Sequence, residues 1–136
     1  MTGPETAIEF FHGYTYSGHP AACAAGMATL DIYEREQLLT RGARLADCWR
    51  DAVNRLRNSP HVIDIRTIGL VAGIELQSRQ GAAGARAHEA FLDCYDKGLL
   101  IRVTGDIIAL SPPLIVEEGQ IDEMVTTLGE ALARLK

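Results

Sequence analysis

Lysine is nearly missing from these 136 residues, and only Lys97 and the terminal Lys136 occur. Lys97 directly precedes Gly98 at an expected helix end. Neither lysine reads as the buried, desolvated amine that Schiff-base chemistry needs. Basic runs are missing too, and the net charge is -5. Without a stripe of Lys and Arg there is no phosphate-backbone footprint, which argues against nucleic acid and against an anionic membrane surface. The longest apolar runs are short and carry charges, so no bilayer-spanning segment is expected. Residues 1–9 lack a basic stretch followed by an apolar core, so no secretory signal is read there. Cysteine is sparse, odd in number and widely spaced. Cys23, Cys48 and Cys94 read as buried, reduced thiols of a cytoplasmic protein, not as a disulfide framework or a metal site. His12 and His19 have no partner at metal-ligand spacing, so no metal is expected.

What is present is the composition of an ordinary folded chain, 47% hydrophobic and 23% charged. The length suits one domain, enough to bury roughly two thirds of the unfolded surface. Residues 2–5 read as a loop and 7–11 as a short extended run. Pro20 fits the first position of a helix running to about Glu36, capped near His19 or Gly18. Ala22, Ala25, Gly26 and Thr29 give this helix a small-residue face suited to burial against a close neighbour. Residues 38–57 carry Leu38, Gly42, Leu45, Trp49, Ala52, Val53 and Leu56 at three- and four-residue steps, which predicts an amphipathic helix.

Val62–Ile68 and Leu70–Leu76 alternate and are rich in β-branched residues, so they read as two strands, or one bent strand, around Gly69. A third helix is expected over 85–97, with Ala87, Phe91, Cys94 and Tyr95 inward and Gly98 ending it. Leu99–Val103 and Ile107–Leu110 read as strands about a Thr104-Gly105-Asp106 turn. Ser111-Pro112-Pro113 breaks the ladder. The last helix runs from about Glu117 to Leu135, with Ile121, Met124, Val125, Leu128 and Leu132 inward. The expected fold class is α+β, a small, mostly antiparallel sheet packed with helices.

Two places could carry chemistry. The segment from His12 to Pro20 holds glycines, Thr15 and Ser17 and opens into a helix. Hydroxyls, free amides and a helix N-terminus together suit a phosphate. Spacing alone slightly favours a surface loop whose tyrosines cover the next helix. Arg102 lies on an apolar strand just before a Gly turn, either as a carboxylate ligand or in a structural ion pair with Asp106.

The stretch Phe11-His12-Gly13-Tyr14-Thr15-Tyr16-Ser17-Gly18-His19-Pro20-Ala21-Ala22-Cys23-Ala24-Ala25 resembles a motif of class III, fold type I pyridoxal-phosphate aminotransferases. More narrowly it is similar to the ω-amino acid:pyruvate aminotransferases. The likeness continues through Ile68–Leu76, Gly98–Arg102 and Gly105–Pro113, four segments in the same order. The resemblance implies the C-terminal small domain of such an enzyme (20–136), led by an interdomain helix and preceded by an interface loop (1–19). It implies a homodimer in which Thr15, with the Tyr14 backbone nearby, holds the phosphate of the partner subunit's pyridoxal 5'-phosphate. His12 and Tyr14 would line that interface.

The resemblance also makes Arg102 the ligand of the substrate carboxylate, able to swing away for an apolar group. Ornithine-type relatives carry an arginine where Ala109 stands, so this chain follows the ω-aminotransferase branch. The family's Schiff-base lysine, the aspartate on the pyridine nitrogen and the stacked aromatic would all precede Ala7. Met1 is therefore expected to be internal or an introduced start, and the chain alone to be inactive. The implied activity moves an amino group from an ω-amino acid or amine to pyruvate. A freestanding α/β binding or dimerisation module is the competing expectation.

Overall fold

A computed structural model describes residues 13–136. The extended run expected at 7–11 and His12 fall outside the described residues. The chain divides into two compact units, Met1–Glu36 and Gln37–Lys136.

In the first unit, the loop from Gly13 leads into helix α1, Pro20–Arg35, with His19 at the N-cap and Pro20 at the first helical position. Proline suits that position because its missing N–H would have no intrahelical partner anyway. Thr29 returns its hydroxyl to the Ala25 carbonyl at 2.8 Å. None of the α1 residues is buried, so the face of Ala22, Ala25, Gly26 and Thr29 is exposed.

The second unit holds the sheet. Gln37, in the left-handed region at φ 49, opens α2, Leu38–Asn54. A short 3-10 turn, Arg55–Asn58, follows where the sequence suggested continuous α-helix. Strand β1 (Val62–Ile68) and strand β2 (Val71–Leu76) form a hairpin with Ile68 opposite Val71. Gly69 occupies the first turn position at φ 53, the conformation that two-residue hairpins demand. Helix α3 spans Ala85–Asp96, strand β3 spans Arg102–Thr104, strand β4 spans Ile107–Leu110 and helix α4 spans Glu118–Ala133. The four strands run antiparallel in the order β1-β2-β4-β3, so the expected architecture stands.

β3 is shorter than the sequence suggested, because residues 99–101 have no ladder partner. The pairs Ile65–Ile74 and Ile74–Ile108 fill the covered face with β-branched side chains. Helices α2, α3 and α4 supply Trp49, Val53, Cys94, Ile121, Leu128 and Leu132 to the same core. Burying a side chain such as Ile74, fully covered, contributes about 1.5–3 kcal/mol. Tyr95, expected inward, is 61% exposed, because Ala90 and Cys94 already turn the inner stripe of α3 away from it. The thiols differ as well: Cys23 is exposed, Cys48 half-buried and Cys94 buried.

Two contacts tie the segments flanking β4 to helices, and a third caps α4. The Asp106 carboxylate accepts the Gly84 N–H at 2.8 Å, which ties the β3–β4 turn to the start of α3. Arg41 donates to the Ile115 and Val116 carbonyls at 3.1 and 2.8 Å, holding the segment after Pro113 against α2. The Glu117 N–H donates to Gln120 Oε1 at 3.0 Å in the capping box of α4.

Candidate functional site

The loop before α1 is built from two consecutive turns. The Ser17 N–H donates to the Tyr14 carbonyl at 3.0 Å and the His19 N–H to the Tyr16 carbonyl at 3.2 Å. Gly18 permits the second turn with φ 78, a conformation that side chains rarely adopt. Gly13 to Ser17 surround an open concavity of about 560 Å³. Thr15 is exposed, and its hydroxyl has no partner among the described residues.

His19 gives α1 no side-chain cap, and the first turn of the helix carries no acidic residue. The helix dipole and orphan amides there stay available to an anion. No carboxylate lies in the loop to repel one. The residues present therefore fit a phosphate group, with Thr15 as hydroxyl donor and the Tyr14 backbone beside it. No lysine lies in this loop, and Lys97, in the other unit, is engaged by Glu130 at 3.1 Å.

Arg102 lies in the second unit, at the start of the outer strand. Cross-strand partners project from one face, so the register Arg102–Ala109, Ala109–Gly73 and Gly73–Arg66 sets four residues across the open face of the sheet. Arg102 is exposed and makes no ion pair among the described residues. The alternative pairing with Asp106 is not formed, because the Asp106 carboxylate is turned to Gly84. Arg102 lines a cavity of about 960 Å³ together with Val71, Leu100, Ala109, Ser111 and Pro112. A free guanidinium at the wall of a mostly apolar cavity is suited to take one carboxylate bidentately while the rest of a small molecule meets carbon. A longer side chain at 109 would narrow the space beside it.

Sequence reasoning overlooked the acid-rich cluster beside this row. Arg66 Nη1 stands 2.7 Å from both Asp64 Oδ2 and Glu75 Oε2. These contacts raise the Arg66 pKa, the hydrogen bond it donates to Glu75 more than the one it donates to Asp64. The signal was present in the alternation of Asp64 and Arg66 opposite Glu75, once the register is known. No group of three or more His, Cys, Asp or Glu suited to a metal occurs among the described residues. None of the described helices is long and apolar enough to cross a membrane.

Residues 1–132 match the family described as Aminotransferase class-III. The chain belongs to the class III aminotransferases. It is 57% identical over 135 residues to an "Omega-aminotransferase" of Caulobacter vibrioides, covering 99% of this chain and 31% of that protein. It is 40% identical over 129 residues to a "Beta-alanine--pyruvate aminotransferase" of Pseudomonas aeruginosa, covering 95% and 29%. The solved structure of an omega transaminase from Pseudomonas jessenii in complex with PMP superposes with a TM-score of 0.81 at 32% identity. That match covers 89% of this chain and 28% of the other. The chain thus spans about a third of the length of the curated relatives it matches. A class III aminotransferase segment of α+β fold is what the comparisons show, and they do not favour a freestanding module.

Proposed function

We propose that this chain is the C-terminal part of a homodimeric, cytoplasmic, pyridoxal-phosphate-dependent aminotransferase that moves an amino group from an ω-amino acid or amine to pyruvate. One observation carries the reading: Arg102 stands without an ion pair at the wall of a mostly apolar cavity, with Ala109 directly opposite. The relatives named for ω-amino acids and for β-alanine and pyruvate support the substrate class.

In this reading the two units do separate work. The loop from Gly13 to Ser17 anchors the cofactor phosphate, with the Thr15 hydroxyl and the backbone near Tyr14 supplying charge-assisted hydrogen bonds. When bound, the cofactor supplies an electron sink for the carbon that exchanges its amino group. Arg102 clamps the substrate carboxylate through its planar fork and so orients the molecule along the cavity. Val71, Leu100 and Pro112 shield the bound substrate from water. The lysine that moves the proton lies outside these residues, so the chain orients the substrate and does not perform the proton transfer.

Alanine formation from β-alanine and pyruvate tests the proposal. The complete enzyme should form alanine only when pyruvate and pyridoxal 5'-phosphate are present, and the 136-residue chain alone should form none. Turnover by the isolated chain, or no pyruvate dependence in the complete enzyme, would overturn it.

A further inference from the structure

The open face of the sheet is graded in three rows. At the end where β3 starts, Ile68 and Val71 pair and are 79% and 46% exposed, an apolar row that Val71 carries into the cavity. The middle row is Arg66, Gly73, Ala109 and Arg102. The next row sets Asp64 against Glu75, with Ile107 and Thr104 beyond.

The two arginines of the middle row are treated differently. Arg66 is held by two carboxylates, Asp64 and Glu75, both at 2.7 Å, so that cluster has one more anion than cation. Arg102 makes no ion pair among the described residues, although Glu123 also lines its cavity. Between them stand only Gly73 and Ala109. Gly73 itself carries no side chain, and Ile107 Cγ2, 3.8 Å from where its Cβ would stand, flanks the path from Arg102 to the acid row. Strands lie about 5 Å apart, which puts Gly73 roughly 10 Å from Arg102 and Glu75 roughly 7 Å further along its strand. A long arginine stem and a glutamate stem can meet across that gap.

We propose that Glu75 is a second docking point for the Arg102 guanidinium. With a substrate carboxylate in the cavity, Arg102 faces the cavity. With a substrate that lacks one, Arg102 folds over Gly73 and Ala109 onto Glu75, which it then shares with Arg66. The inference rests on the reading of Arg102 as the carboxylate ligand. Its physical reason is that a guanidinium does not deprotonate, so it must leave the path of an apolar group entering the cavity, and a nearby carboxylate gives it a defined place to go. Glu75 keeps acceptor capacity beyond its bond to Arg66, since a carboxylate offers about four lone-pair sites. Glu75 is therefore a positioning residue, acting through Arg102.

The test uses the complete enzyme with pyruvate as acceptor and compares kcat/KM for β-alanine with that for 1-phenylethylamine. Glu75→Gln should raise the β-alanine to phenylethylamine ratio about two- to fivefold, the span of an exposed ion pair. The change should lie in KM for the aromatic amine, and Glu75→Asp should reverse it. Gly73→Val removes no charge but walls Arg102 off from Glu75, and should raise the ratio in the same direction. It also decides the matter if Glu75→Gln fails to fold. A ratio unmoved in either folded variant overturns the inference. Arg102→Ala separates this from the parent reading. If Arg102→Ala weakens β-alanine while the other two variants are silent, only the role of Glu75 falls. If Arg102→Ala leaves β-alanine untouched, the carboxylate reading falls with it.

Discussion

Arg102 of β3 and Ala109 of β4 are direct cross-strand partners, on the face of the sheet that turns away from the core. Two positions seven apart in sequence thus open on one cavity, and either could present a guanidinium to it. The double change Arg102→Ala with Ala109→Arg should therefore regain part of the β-alanine turnover that Arg102→Ala alone loses. About a tenfold recovery in kcat/KM is expected, since a charge-assisted bond contributes about 1.5–3 kcal/mol when well placed. Steady-state kinetics of the single and double variants of the complete enzyme measure it. No recovery in a folded double variant would mean that the two positions do not serve one ligand.

Thr15 is the second residue to test. Removing its hydroxyl takes away a donor to a dianion in a loop that has no charged side chain to replace it. Thr15→Ala should weaken pyridoxal 5'-phosphate binding by roughly tenfold to a hundredfold, whereas Thr15→Ser should hold it near the parent value. Equilibrium dialysis of the complete enzyme against the cofactor reads this directly. Equal affinities in all three proteins would return the loop to a purely structural role.

The cysteines provide a pH test of the core. Burial is the first cause that pushes the Cys94 thiol from its ordinary value of 9.0 up to about 11, and Asp93 adds to it. The raised folded-state value means that the unfolded chain loses this proton first as pH rises. Cys94 therefore withdraws stability between about pH 9 and 11 and has no such effect below that window. Urea unfolding at pH 8 and pH 10 should show an alkaline loss that Cys94→Ala reduces. Equal losses in both proteins would place the alkaline sensitivity elsewhere. Under native conditions Cys23, which is exposed, should react with a thiol reagent well before Cys94.

Much of the fold was legible because local rules and packing agree. Leu38 to Leu56 repeats at helical steps and does form the inner face of α2 and its 3-10 extension. Gly69 and Gly105 mark both hairpin turns through positive φ, at 53 and 57. The failures have physical causes. Leu99 to Ile101 has strand composition, but the ladder supplies it no partner, and strand character depends on that partner. Tyr95 sits at a helical spacing that fits the inner stripe, yet α3 is narrow, and Ala87, Ala90 and Cys94 already fill the contact. The Asp64, Arg66 and Glu75 cluster was hidden because it depends on register, which alternation alone does not fix. Arg102 could be nominated from sequence, but only the register shows Ala109 beneath its reach and the Asp106 carboxylate engaged elsewhere.

The central claim is that Arg102 selects substrates by their carboxylate. The most direct measurement is kcat/KM of the complete enzyme and of Arg102→Ala, with β-alanine and with 1-phenylethylamine, at saturating pyridoxal 5'-phosphate and a fixed pyruvate concentration. Pyruvate carries a carboxylate of its own, so its effect is common to both donors and the ratio between donors isolates the amine side. The substitution should lower kcat/KM for β-alanine by roughly tenfold to a hundredfold more than for the aromatic amine. An equal fall for both donors, or none for β-alanine, would contradict it.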